Sequence, residues 1–184
     1  MHTVDTLHGA VPAQIFEALS NIRLLVCDVD GVFSDGRIYL GNSGEELKAF
    51  HTRDGFGMKA IRKAGVATAV ITGRNSRIVA DRMASLQVDH IIQGEENKLQ
   101  ALQNLIQSIG LTPEQVAAIG DDVPDIGMFN VAAVGIAVND AHPLVKQNAD
   151  WVTHNRGGFG AVREVCDILM QVNNALQDFS GSSV

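Results

Sequence analysis

The stretch LLVCDVDGVFSDG at 24–36 runs from an apolar segment into three carboxylates, Asp28, Asp30 and Asp35. Farther along stand Thr72, Gly73 and Arg74, then Lys98, then GDDVPD at 120–125 with Asp121, Asp122 and Asp125. Crowded carboxylates repel and raise one another's pKa, so such a set has few structural uses unless cations share the space. Hard oxygen ligands select Mg2+, which takes one or two carboxylates, keeps several waters and leaves room for a substrate phosphate. Asp28, Asp30 and Asp121 are the candidate metal residues, with Asp28 and Asp121 the natural carboxylate ligands and Asp122 and Asp125 supporting them from behind. A carboxylate at a rigid strand end, here Asp28, can attack phosphorus in line and form an aspartyl-phosphate. Asp30, two residues on, is placed to protonate the leaving alkoxide and later to deprotonate the hydrolytic water. The Thr72 hydroxyl, backbone N–H groups near Gly31 and Gly73, and the Lys98 ammonium would cradle the phosphoryl oxygens. Asp35 precedes Gly36 and reads as a turn residue.

Those residues need elements to position them. Short β-branched or apolar runs at 22–28, 66–72, 88–92, 116–120, 132–138 and 149–153 alternate with helical patterns at 55–64, 75–86, 95–109, 124–130, 142–148 and 159–176. Alternation of this kind predicts an α/β fold, a doubly wound parallel sheet with helices on both faces. Thr112 and Pro113 make a cap and first position for one further turn. RIYLGNSGEELKAF at 37–50 breaks the rhythm: two extended runs around Asn42, Ser43 and Gly44 predict an inserted β-hairpin. Ligands of open parallel sheets bind at the carboxyl ends of the strands, where the aspartates, Thr72 and Lys98 fall.

The 184 residues fit one domain, 1–184, with the hairpin at about 36–50 and a polar tail from about 177. No apolar stretch reaches the ~18 residues that would span a bilayer, and the first residues lack the pattern of a secretory signal, so a soluble cytoplasmic protein is expected. A net charge of −7 with no basic run argues against nucleic acid or anionic membrane as a partner. Cys27 and Cys166 lie in apolar stretches far apart and read as buried, reduced thiols. No two of the six histidines have the spacing of a helical zinc pair; His51 stands out beside Arg53, Asp54 and Gly55.

Taken singly each motif has a plainer use, as a turn, a strand end, a solvated first-turn lysine or a helix cap. Together and in order, DVDGV at 28–32, ITGR at 71–74, Lys98 and GDDVPD at 120–125 resemble the four motifs of the haloacid dehalogenase superfamily of phosphatases. Members often carry a cap domain between these motifs, yet Thr72 follows Asp28 by only 44 residues and Lys98 follows Thr72 by only 26. An uncapped site is open to water, and a neighbouring subunit is the economical cover. The hairpin fits that role, since a lone two-stranded ribbon is marginal in water and exposes edges that pair readily.

FHTRDGFGMKAIRKAGV at 50–66 and RGGFGAVREVCDILM at 156–170 resemble the bacterial 3-deoxy-D-manno-octulosonate 8-phosphate phosphatase family. The resemblance implies a cap-less, Mg2+-dependent homotetramer that hydrolyses a sugar-acid phosphate in lipopolysaccharide precursor synthesis, with hairpins meeting at its centre and a neighbour covering each site. It implies a substrate pocket lined by His51, Thr52, Arg53, Asp54, Gly55, Lys59, Gly73, Arg74 and Arg82 together with Lys98. A substrate with phosphate and carboxylate needs cations at both ends: Arg74 and Lys98 suit the phosphate, Arg53, Lys59 and Arg82 the carboxylate. The glycine-rich GGFGAVRE at 157–164 is implied as a lid near a neighbouring site. Three alternatives stay open: a phosphatase of a nonulosonate 9-phosphate, a phospho-accepting receiver domain of two-component signalling, and a catalytically idle binding module. Motif order counts against the receiver, whose acidic pair would follow the first strand.

Overall fold

The computed structural model describes residues 2–177. The chain opens with an antiparallel pair, β1 (Thr3–Thr6) and β2 (Gly9–Pro12), and the short helix α1 (Ala13–Leu19). None of these is signalled by an apolar period; they hold because Val11, Ile15 and Leu19 are buried against the core. Next come β3 (Leu24–Cys27), the hairpin strands β4 (Tyr39–Leu40) and β5 (Glu46–Leu47), α2 (Thr52–Ile61) and β6 (Ala67–Thr72). The second half continues through α3 (Arg77–Ser85), β7 (His90–Gln93), α4 (Lys98–Ile109), β8 (Val116–Gly120), α5 (Ile126–Phe129), β9 (Val134–Ala137), α6 (Pro143–Asn148), β10 (Trp151–Val152) and α7 (Ala161–Val172).

Six strands form one parallel sheet in the order β10-β9-β8-β3-β6-β7. The first strand of that sheet, β3, lies at its centre, and the order runs outward from it in both directions. Such a switch point opens a crevice at the strand ends. Cys27 pairs with Val70 on one side and Ile119 on the other, so Asp28 emerges between the ends of β6 and β8. The Asp28 N–H continues the ladder to the Ile119 carbonyl at 3.0 Å. All four β3 residues are fully buried. A polar replacement at Val26 would forfeit about 1.5–3 kcal/mol of burial and loosen the strand that aims Asp28.

Helix boundaries shift from the expected ones where caps decide them. α2 starts at Thr52 because His51 accepts the Arg53 N–H on Nδ1 at 3.1 Å. α4 starts at Lys98 because the Asn97 side chain accepts the Gln100 N–H at 3.2 Å. The 124–130 pattern divides into a 3-10 turn over Val123–Asp125 and the short α5. The hairpin forms within 37–50, with Gly44 at φ +90° in its turn. The polar tail expected from about 177 lies outside the described residues after Gln177.

Candidate active site

A cavity of about 780 Å3 sits at the switch point, lined by Asp28, Asp30, Gly36, Thr72, Gly73, Arg74, Glu96, Lys98, Asp121, Asp122, Val123, Pro124 and Asp125. Its size suits a small molecule. Four sequence segments converge there because each ends or follows a strand of the parallel sheet or, for Lys98, opens the helix after one.

Lys98 is its electrostatic pivot. Its Nζ lies 2.6 Å from Asp28 Oδ1 and 2.6 Å from Asp125 Oδ1. Burial alone would lower the ammonium's pKa, but the Asp28 and Asp125 carboxylates and their hydrogen bonds raise it, so the lysine stays charged. Asp125 uses its other oxygen, Oδ2, to accept the N–H groups of Asp121 and Asp122 at 2.9 and 3.1 Å. Both its oxygens are thus committed to holding Lys98 and the 120–125 turn. Asp122 accepts the Val123 N–H at 2.8 Å and caps the same turn, its side chain in solvent.

One ammonium does not balance this set. Ligand oxygens of Asp28, Asp121 and Asp125 lie within 4.8 Å of one another. Burial, then repulsion by Asp125, pushes Asp28 up to about 6 despite Lys98. Burial, then repulsion by Asp28, Asp125 and Asp122, pushes Asp121 up to about 8. Asp121 Oδ1 is buried with no hydrogen-bond partner among the described residues. An excess of hard oxygen donors with an unsatisfied inward-facing lone pair fits a divalent cation. Gly31 permits this packing: at φ +98° it turns the chain sharply, and a Cβ there would collide with Asp121 Oδ2. Behind it, the Gly158 N–H donates to the Val32 carbonyl at 2.9 Å, so the 156–160 segment of this chain backs its own 31–35 turn.

Asp30 stands apart from the carboxylate cluster. Its Oδ1 accepts from Lys48 Nζ at 2.6 Å, and Arg74 Nε lies 4.0 Å from Oδ2. Thr72 is buried at the end of β6, while Gly73 and Arg74 are exposed at the cavity wall.

The sequence-derived substrate residues divide. Gly73, Arg74 and Lys98 line the cavity; His51, Thr52, Arg53, Asp54, Gly55, Lys59 and Arg82 do not. His51 caps α2 and edges a separate cavity of about 230 Å3 with Asp35, Phe50 and Phe159. Thr52 and Arg53 are exposed at the start of α2, Gly55 is buried, and Lys59 and Arg82 are half-buried on α2 and α3. Asp54 is fully buried: its Oδ1 accepts the Arg163 N–H at 2.8 Å and ties α2 to α7. Sequence reasoning passed over Lys48 and Glu46. Their spacing of two residues in a predicted strand put them on one face, which was the available signal.

A haloacid dehalogenase-like hydrolase family model matches residues 85–164. The 3-deoxy-D-manno-octulosonate 8-phosphate phosphatase KdsC of Salmonella typhi is 46% identical over 182 residues, 99% of this chain and 97% of that protein. The crystal structure of the phosphatase of that name from Yersinia pestis superposes with a TM-score of 0.93 at 45% identity, covering 96% of this chain and 95% of the other. The one from Moraxella catarrhalis, solved with magnesium ion, phosphate ion and KDO, gives 0.89 at 38% identity over 92% of this chain and 97% of that one.

Proposed function

The chain belongs to the 3-deoxy-D-manno-octulosonate 8-phosphate phosphatases, haloacid dehalogenase-like hydrolases without a cap domain, and from that premise we propose how its residues divide the work. The enzyme hydrolyses 3-deoxy-D-manno-octulosonate 8-phosphate to the free sugar acid and phosphate, with Mg2+. Full-length likeness to proteins named for the eight-carbon ester sets that substrate ahead of a nine-carbon one. Bound Mg2+ offsets the negative charge of the site and of the phosphate, and Asp28 and Asp121 would hold it. Asp121 Oδ1, buried without a hydrogen-bond partner among the described residues, is the observation that carries this assignment.

Asp28, one oxygen held by Lys98, forms the new bond to phosphorus as the bond to the sugar oxygen breaks. Asp30 gives its proton to that departing oxygen, so the sugar acid leaves as an alcohol and Asp30 is left as a carboxylate. Asp30 then takes a proton from water, the hydroxide oxygen bonds to phosphorus, and the acyl-phosphate bond breaks to return Asp28 and release phosphate. Thr72, the Gly73 backbone, Arg74 and Lys98 orient the phosphoryl oxygens. Asp122 and Asp125 keep the turn that aims Asp121.

Arg53, Lys59 and Arg82 stand outside the cavity that holds Asp28 and Lys98, and the substrate carboxylate still needs a cation. We therefore read the site, including His51 and Thr52, as completed in a homo-oligomer, a tetramer joined through the hairpins, with Asp54 and Gly55, both buried within the subunit, holding the start of α2 in place behind it. Tyr39, Leu40 and Leu47, exposed by 54, 74 and 64%, give the hairpin an apolar face that supports this. We read 1–184 as a single phosphatase domain of the cytoplasm: no described helix is long and apolar enough to cross a membrane, and two buried free thiols suit a reducing compartment. The test is phosphate release from eight- and nine-carbon sugar-acid phosphates with and without Mg2+. Metal-dependent turnover fastest on the eight-carbon ester is expected; a preference for the nine-carbon ester would overturn the substrate assignment.

A further inference from the structure

Strand β5 has two faces with different uses. Leu47 points outward, whereas the side chain of its neighbour Lys48 is fully buried. Its Nζ lies 2.6 Å from Asp30 Oδ1 and 3.4 Å from Glu46 Oε1. Glu46 is anchored to the body of the fold: its Oε2 accepts from Ser76 Oγ at 3.2 Å, and the Arg74 guanidinium lies 3.9 Å from Oε1. A dry ammonium is costly unless its partners are well placed, and Asp30 and Glu46 both face it.

We infer that Lys48 is a positioning residue for the acid–base carboxyl of Asp30, with Glu46 as its anchor. Asp30 follows β3 in a loop, and a carboxyl group on a loop rotates unless something holds it. Lys48 occupies Oδ1, so a proton on this carboxyl resides on Oδ2, which is buried and has no hydrogen-bond partner among the described residues. The hairpin thereby fixes which oxygen transfers the proton and in which direction it points. The inference rests on the assignment of Asp30 as acid and base.

Departure of an alkoxide needs that proton, whereas an aryl ester leaves as a stable phenolate and hardly does. The experiment compares the single-turnover rate of acyl-phosphate formation, read by rapid quench, because the later activation of water by Asp30 is common to all esters and enters kcat. It uses the sugar-acid 8-phosphate and p-nitrophenyl phosphate, with saturating Mg2+, in Lys48→Met, Lys48→Arg, Asp30→Asn and the Lys48→Met/Asp30→Asn double variant. Lys48→Met is expected to lower that rate on the sugar ester by about 10- to 100-fold with substrate affinity little changed, and on the aryl ester by less than about threefold. Lys48→Arg should restore most of the loss, and Lys48→Met should cost nothing further in the Asp30→Asn background. Equal losses on both esters, or losses that multiply with Asp30→Asn, would overturn the inference. If Asp30→Asn is selective for the sugar ester and Lys48→Met is not, only the role of Lys48 falls; if Asp30→Asn is unselective, the acid assignment falls and takes the inference with it. Should Lys48→Met fail to fold by circular dichroism, Lys48→Arg and Glu46→Gln carry the same comparison: a smaller loss confined to the sugar ester supports the role, and an unselective loss overturns it.

Discussion

Asp54 offers a test of how the wall beside the site is held. Burial pushes its carboxyl up from 3.8 to about 6, against the opposing pull of the Arg163 and Gly160 N–H groups and the Arg163 guanidinium. The folded protein therefore binds this proton more tightly than the unfolded chain does. Below pH 3.8 the group is neutral in both states and costs nothing. Between the two pKa values the unfolded chain ionises first, so stability falls as pH rises and levels off above about 6. The cost works out at about 1 kcal/mol at pH 4.5 and about 3 kcal/mol at pH 7. Asp54→Asn removes the ionisation and keeps an oxygen for the Arg163 N–H. Any penalty from the new amide is the same at every pH, so the difference between variant and parent isolates Asp54. Urea unfolding of both at pH 4.5, 5.5 and 7 should show the variant gaining about 2 kcal/mol on the parent across that range. A difference that does not change with pH would refute the reasoning that Asp54 is ionised in the dry contact between α2 and α7.

The remaining expectations bear on the metal and on assembly. Gly31→Ala puts a methyl group on Asp121 Oδ2 at a φ of +98°, and isothermal titration should show Mg2+ affinity weakened by about tenfold or more. Because Asp121 is pushed up to about 8 without metal, Mg2+ must displace its proton. Mg2+ affinity should therefore fall as pH is lowered from 9 to 6, and calorimetry in buffers of different ionisation enthalpy should show proton release that shrinks towards pH 9. Leu40→Glu combined with Leu47→Glu places charge on the exposed hairpin face; if the chain assembles through the hairpins as proposed, sedimentation velocity should show the parent as an oligomer and the variant as a folded single subunit.

The sheet and the gathering of polar residues at its strand ends were legible in the sequence because each strand and the residue that ends it are local. Apolar runs such as 24–27 and 116–120 mark buried strands, and Asp28, Thr72 and Asp121 directly follow or end them. What could not be read depends on contacts between distant segments. The pairing of Lys48 with Asp30 spans 18 residues and requires the hairpin to fold back over the β3 end. Asp54 looked like a pocket residue beside Arg53 and Gly55, yet the first turn of α2 directs it into α7, to a partner 109 residues away. Asp125 reads as one more acid in GDDVPD; only the fold shows both its oxygens committed, one to Lys98 and one to the turn. The first hairpin and α1 have no periodic signal because their few buried side chains are specified by the core they cover.

Transfer of the phosphoryl group to Asp28 is the step on which the proposed chemistry depends. Rapid acid quench of the Mg2+-loaded enzyme mixed with the sugar-acid 8-phosphate, followed by borohydride reduction and peptide mass spectrometry, reads the acyl-phosphate site directly. Conversion to homoserine at position 28 is expected during turnover, with neither labelling nor turnover in Asp28→Asn. Label at Asp30 or Asp121, or full turnover by Asp28→Asn, would contradict it.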